Sequence, residues 1–96
     1  MTPTDIRKAI AALTKADYHF VGLRPADAAP TAPCILLPAH DVGGLSYAAD
    51  AAGRHWPDCT DWALIAADDE LIMQDPAWPV EMRALRSPVQ IAAFSS

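Results

Sequence analysis

Apolar and polar positions divide the chain into helical, extended and irregular stretches. Ile6, Ala9, Ile10 and Leu13 recur at the spacing of one helix face, while Arg7, Lys8 and Lys15 fall elsewhere. Before them, Thr2-Pro3-Thr4-Asp5 offers a hydroxyl cap, a proline for the first helical position and an early acid. The pattern predicts a helix from residue 3 to about 16. Tyr18-His19-Phe20-Val21-Gly22-Leu23 is rich in strand formers and stops at Arg24-Pro25. Residues 25–33 carry prolines and alanines without periodicity, the composition of an exposed loop. Cys34-Ile35-Leu36-Leu37, closed by Pro38, reads as a buried strand inside a sheet.

The second half is less regular. Asp41-Val42-Gly43-Gly44 is turn chemistry, and Leu45 to Gly53 reads either as a short helix ending at that glycine or as an extended segment with a turn. His55 to Asp61 is polar, holds Pro57, and is expected to be a loop. Trp62–Ile65 and Leu71–Met73 flank the acidic centre Asp68-Asp69-Glu70. A hairpin turning at the acids fits this stretch; a single helix capped by Thr60 or Asp61 is the alternative. Two prolines interrupt residues 75–79. Val80 to Arg86 fits a short helix with Pro79 at its start and Pro88 beyond its end, and Val89 to Phe94 fits a closing strand. The sum is a single α+β domain over residues 1–96. It holds a small mixed or antiparallel sheet of about four or five strands, the N-terminal helix, and one or two short helices.

Composition changes this picture mainly at the core. The hydrophobic fraction is 52%, but much of it is alanine, so the tryptophans, tyrosines and phenylalanines must supply a large share of the packing. The net charge of −5 and the scatter of seven Lys and Arg residues disfavour nucleic acid, which needs a clustered basic face. An acidic surface suits basic protein partners or solubility. No apolar run is long enough to span a bilayer and the N-terminus has no signal-peptide pattern. The expected location is the cytoplasm at synthesis, or a virion if an assembly carries the protein there. Cys34 and Cys59 make no disulfide framework and read as thiols.

Candidate chemistry is sparse. Cys34, His40, His55 and Cys59 are the residue types of a tetrahedral zinc site, yet they lack the close pair that pre-forms half of one. Cys34 with His40 and Asp41 has the members of a nucleophilic triad, but a thiol opening an apolar strand tends to be inert. Asp68, Asp69 and Glu70 lack the glycine-bearing ligand loop of a calcium site, and three adjacent acids most often form a solvated turn. No serine sits in a nucleophile elbow, and Gly43-Gly44 lacks the lysine of a phosphate loop. Neither a metal nor a cofactor is implied. Tryptophan beside proline in irregular segments is a common binding anchor, with core packing as the ordinary alternative. The residues nominated for partner binding are therefore Trp56, Asp58, Asp61, Trp62, Asp68, Asp69, Glu70 and Trp78.

Three segments taken in order resemble a known family. These are the helix Asp5–Leu13, the segment Ala32-Pro33-Cys34-Ile35-Leu36-Leu37-Pro38 after a proline-rich loop, and Cys59-Thr60-Asp61-Trp62-Ala63-Leu64-Ile65. Their succession is similar to the small tail-terminator and head–tail connector proteins of tailed phages. In that family an N-terminal helix precedes a sheet and copies assemble into a ring. The resemblance implies a non-enzymatic assembly module, with copies of itself or another protein as partner and no catalytic residues. The chain departs from the family after the third strand, where the usual long helix is reduced to Val80–Arg86. The alternative function is a small acidic inhibitor, such as an immunity protein or a phage-encoded blocker of a host defence complex, presenting carboxylates to a basic groove. A metal- or thiol-dependent enzyme is a third possibility.

Overall fold

A computed structural model describes residues 11, 19–37, 42–69 and 75–95. They form β1 (Phe20–Pro25), β2 (Cys34–Leu36), α1 (Val42–His55), β3 (Asp61–Ala67), β4 (Met82–Arg83) and β5 (Val89–Ser95). The strands make one sheet in the order β4-β2-β1-β3-β5, every neighbouring pair antiparallel. The α+β expectation holds in this form, a five-stranded antiparallel sheet with one described helix. The expected helix over residues 3 to about 16 lies outside the described residues apart from Ala11, which is helical.

β1 is the central strand, paired with β2 through Gly22–Leu36 and Leu23–Ile35 and with β3 along its whole length. Side chains alternate between faces. Val21, Leu23, Ile35, Trp62, Leu64, Ala66, Met82 and Phe94 form the first-face core, against which α1 packs Ala48, Ala51 and Ala52. Those three alanines are fully buried. Their spacing places them on one helical stripe, and their small size lets the helix lie close to the sheet. The second face gathers Cys34, Ala63, Ile65, Ala67 and Leu85, with Phe20 and Leu36 at its margin.

Gly22 is required by this second face. A side-chain carbon there would stand 3.0 Å from Cys34 Cβ and 3.4 Å from the Ile35 carbonyl oxygen, and closer still to Cys34 Sγ. The thiol thus occupies the space a β-carbon would fill, the usual meaning of glycine within a strand.

The prolines and alanines between β1 and β2 offer carbonyls with few donors to meet them. Arg24 supplies donors: its guanidinium gives hydrogen bonds to the carbonyls of Ala32 (3.1 Å) and Pro30 (3.4 Å). The aliphatic stem is buried while the head clamps the loop.

α1 is longer than the sequence pattern indicates, running from Val42 through the paired glycines to His55, two residues past Gly53. Arg54 and His55 lie in its last turn, where cations complement the helix dipole. The helical alternative for residues 62–73 is overturned over its first half. Asp61–Ala67 is a strand buried on both faces, so its apolar run shows no alternation in sequence. Both edges of β3 are taken, one by β1 and one by β5. The proposed second hairpin arm, Leu71–Met73, lies outside the described residues.

The short helix expected over Val80–Arg86 is also overturned. The Met82 amide donates to the Pro79 carbonyl at 3.0 Å, closing one turn, and the chain then extends to pair Met82 with Ile35 and Arg83 with Cys34. Burial explains the outcome. Met82 belongs to the first-face core and Leu85 to the second, which an extended chain three residues on can satisfy and a single helical face cannot. β4 and β5 occupy opposite edges of the sheet. Residues 84–88 therefore cross its width, roughly 19 Å at the usual strand spacing, with Leu85 packed on the second face. Ser87 takes the left-handed conformation (φ 50°) in the bend that swings the chain into β5.

Candidate functional site

One end of the sheet carries an open groove of about 660 Å³. Three stretches build it: Pro25-Ala26-Asp27 at the end of β1, His55 to Thr60 after α1, and Asp61 at the start of β3. They converge because β1 and β3 are antiparallel with Pro25 opposite Trp62, and the Ala26 amide donates to the Asp61 carbonyl at 2.9 Å. The 56–60 loop is held by two backbone bonds, Trp56 amide to Ala52 carbonyl (2.9 Å) and Cys59 amide to Trp56 carbonyl (3.1 Å).

Trp56 forms an aromatic wall. Its ring meets Trp62 edge to face at 6.2 Å between centroids and His55 likewise at 6.3 Å. Trp62 is buried, and among the described residues its indole Nε1 has no hydrogen-bond acceptor. His55 is turned to other work. Its Nε2 lies 2.8 Å from Glu81 Oε1, and Arg54 Nη2 lies 3.7 Å from the same oxygen. The His55 hydrogen bond is the main influence holding the Glu81 carboxyl below its ordinary value, and the Arg54 charge adds to it. The pair ties the turn ahead of β4 to the end of α1.

Three acidic residues, Asp27, Asp58 and Asp61, are among those that line the groove. The Asp61 carboxylate accepts a hydrogen bond from Ser95 Oγ at 2.7 Å. Among the described residues no cation pairs with any of the three. The Cys59 thiol donates to the Asp61 carbonyl at 3.1 Å. Burial pushes this thiol up, the hydrogen bond pulls it partly back, and the charges of Asp27 and Asp61 add to the rise. The groove is thus an anionic concavity with an aromatic side, suited to a cationic group and poorly suited to stabilising a thiolate.

The nominated residues divide between places. Trp56, Asp58 and Asp61 come together here. Trp62 lies in the core beneath and reaches the groove through Trp56. Trp78 is half-buried against the first-face core, in a segment where the Ala77 amide donates to Asp75 Oδ1 at 2.8 Å. Asp68 and Asp69 are exposed at the far end of β3, roughly 23 Å from Asp61 at the usual strand rise. There His19 Nδ1 lies 4.0 Å from Asp68 Oδ1. Glu70 lies outside the described residues. Asp27 was not nominated, because nothing in the sequence links it to residues 58–61; only the β1–β3 pairing does.

The possible zinc set is not gathered at one point. Cys34 is buried on the second face of the sheet, His55 is engaged with Glu81, and Cys59 sits in the groove. His40 lies outside the described residues, and among those described no three His, Cys, Asp or Glu side chains cluster to hold a metal. Cys34 is fully buried and burial pushes its thiol up to about 11, the opposite of an activated nucleophile. No helix among the described residues is long and apolar enough to cross a membrane. Comparison with protein-family models, with curated proteins and with solved structures finds no match to this chain, so the reading of the groove rests on its own geometry.

Proposed function

We propose that the chain is a non-catalytic protein-interaction module whose groove receives a basic side chain of a partner. The observation that carries this reading is that three acidic residues, Asp27, Asp58 and Asp61, line a concavity that Trp56 also lines, with no cation paired to them among the described residues. A guanidinium or ammonium entering it gains charge-assisted hydrogen bonds and the face of an indole together. A concave acidic site takes a protruding basic segment, which supports an assembly role over that of an inhibitor offering its own carboxylates to a basic groove. Within this reading, a small virion neck or tail connector remains our preferred identity. The order of the segments Asp5–Leu13, Ala32–Pro38 and Cys59–Ile65 along the sequence supports it, as does an uncharged sheet edge that pairs with nothing else among the described residues.

Short capped peptides rich in arginine, rich in lysine, or rich in glutamate, titrated into the protein at low and high salt, test the groove. The two basic peptides are expected to bind, to shift the Trp56 indole resonance and to weaken as salt rises. Asp27→Asn with Asp58→Asn is expected to reduce that binding at least tenfold. Equal binding of the acidic peptide, or basic-peptide binding unchanged in the double variant, overturns the proposal.

A further inference from the structure

The two edges of the sheet differ in how they are finished. β4 is two residues long, and its Arg83 guanidinium turns back to hydrogen-bond the carbonyls of Val80 and Met82 (the latter at 2.8 Å). A short strand whose neighbouring carbonyls are already occupied is a poor template for another chain. β5 is the opposite case. It runs seven residues, Val89-Gln90-Ile91-Ala92-Ala93-Phe94-Ser95, and pairs on one side with β3. Among the described residues nothing pairs with its other side. It contains no lysine, no internal proline and no charge of either sign, the devices that usually protect an edge. One irregularity is present: the register with β3 shifts between Leu64 and Ile65, leaving Ile91 as the extra residue of a bulge.

We propose that β5 is a self-association surface, pairing antiparallel with β5 of a second copy to join the two sheets. Charge selects the occupant. Each copy carries −5, so most approaches between copies meet like-charge repulsion. β5 is a seven-residue stretch where that repulsion is absent at the line of contact. Pairing centred on Ala92 sets Ile91 against Ala93, Gln90 against Phe94 and Val89 against Ser95. No like charges face each other in this register or in its neighbours. The closest carboxylate on the adjoining strand, Asp61, is tied to Ser95 Oγ at 2.7 Å. Val89 is 45% exposed and Ile91 half-buried, and both lose apolar surface to water when a second strand arrives. The contact is isologous, so it closes at two copies, and a larger ring requires a second, different surface. This inference deepens the assembly reading and does not depend on the groove. Failure of the peptide titration leaves it standing, and its own failure leaves the groove standing.

Light scattering of the full chain from 1 µM to 1 mM tests it, compared with the Gln90→Lys/Ala93→Lys variant. Both substituted side chains are exposed. The wild type is expected to pass from the 10.3 kDa monomer to twice that mass across the range, and the lysine variant to remain monomeric with unchanged circular dichroism. Hydrogen exchange on the wild type guards against a variant that does not fold: amides within 89–95 are expected to exchange at least tenfold more slowly at high concentration than at low. A wild type still monomeric at 1 mM overturns the proposal. So does a dimer untouched by the lysines, or one whose formation leaves exchange in 89–95 unchanged.

Discussion

Gly22→Ala is the sharpest probe of how the second face is packed. Gly22 does not have a positive φ, so alanine is sterically allowed by the backbone and reduces the entropy of the unfolded chain, a gain of about 0.4–1 kcal/mol. Against this stands the thiol of Cys34, which is 0% exposed and packs in the cluster with Ala63, Ile65 and Leu85. The added methyl must displace Sγ, while Cys34 Cβ at 3.0 Å and the Ile35 carbonyl at 3.4 Å leave little room for retreat. Overpacking of this kind costs about 1–3 kcal/mol, so the net destabilisation expected is about 1–2 kcal/mol. Cys34→Ala alone removes one buried sulfur and is expected to cost about 1 kcal/mol through the small void it leaves. Combining them places the new methyl in the space the sulfur vacated. The double variant is therefore expected within about 1 kcal/mol of wild type, where simple addition of the single costs gives roughly 2–3 kcal/mol. Urea unfolding followed by tryptophan fluorescence reads this directly, since Trp62 is buried. With a slope of about 1 kcal/mol/M for a small domain, Gly22→Ala lowers the midpoint by about 1–2 M. Gly22→Ala indistinguishable from wild type, or strictly additive costs in the double variant, refutes the packing argument.

Two further measurements examine the ends of α1 and the thiols. Glu81→Gln is expected to destabilise the protein at neutral pH by weakening the contact with His55 and Arg54. The Glu81 carboxyl is held below its ordinary value in the folded state, chiefly by the His55 hydrogen bond. Its contribution is therefore present above that value and fades as the pH falls through the depressed native one. Thermal melts from pH 7 to pH 3 should show the wild-type advantage shrink on acidification; an advantage that grows contradicts the assignment. A disulfide reagent such as dithionitrobenzoate is expected to label Cys59 readily in the native protein and Cys34 only as fast as the chain opens. Cys34 is fully buried with its thiol pushed up to about 11, while Cys59 is partly accessible. Rapid native labelling of two thiols contradicts this placement.

The strands were legible where composition is distinctive. Tyr18–Leu23, Cys34–Leu37 and Val89–Phe94 are short runs of strand-forming or apolar residues with proline close by, and the strands Phe20–Pro25, Cys34–Leu36 and Val89–Ser95 fall on them. Trp62–Ala67 was ambiguous for a physical reason. A strand buried on both faces loses its alternation, and alanine and leucine favour helix on their own. β4 left no trace, because a two-residue strand exists only through the edge that β2 offers it. Local pattern therefore favoured a helix there, and tertiary packing of Met82 and Leu85 on opposite faces decided otherwise. The groove was half legible. Trp56, Asp58 and Asp61 stand close together in a polar segment, but Asp27 joins them through a pairing between strands some 36 residues apart, Pro25 to Asp61. The Glu81–His55 contact is equally invisible without the fold.

The crossing of residues 84–88 has a consequence for how the protein is made. Both flanks of the sheet, β4 and β5, come from residues 82–95, so a ribosome that has not yet released them has produced β2, β1 and β3 with neither flank in place. During that interval β2 and β3 each present a bare row of backbone donors and acceptors, and the layer that Leu85 shields stands open to solvent. Residues 82–95 thus close both sides and one surface together. Acquisition of the native state should be abrupt once residues 82–95 are available, with the chain that lacks them the form most in need of chaperone protection.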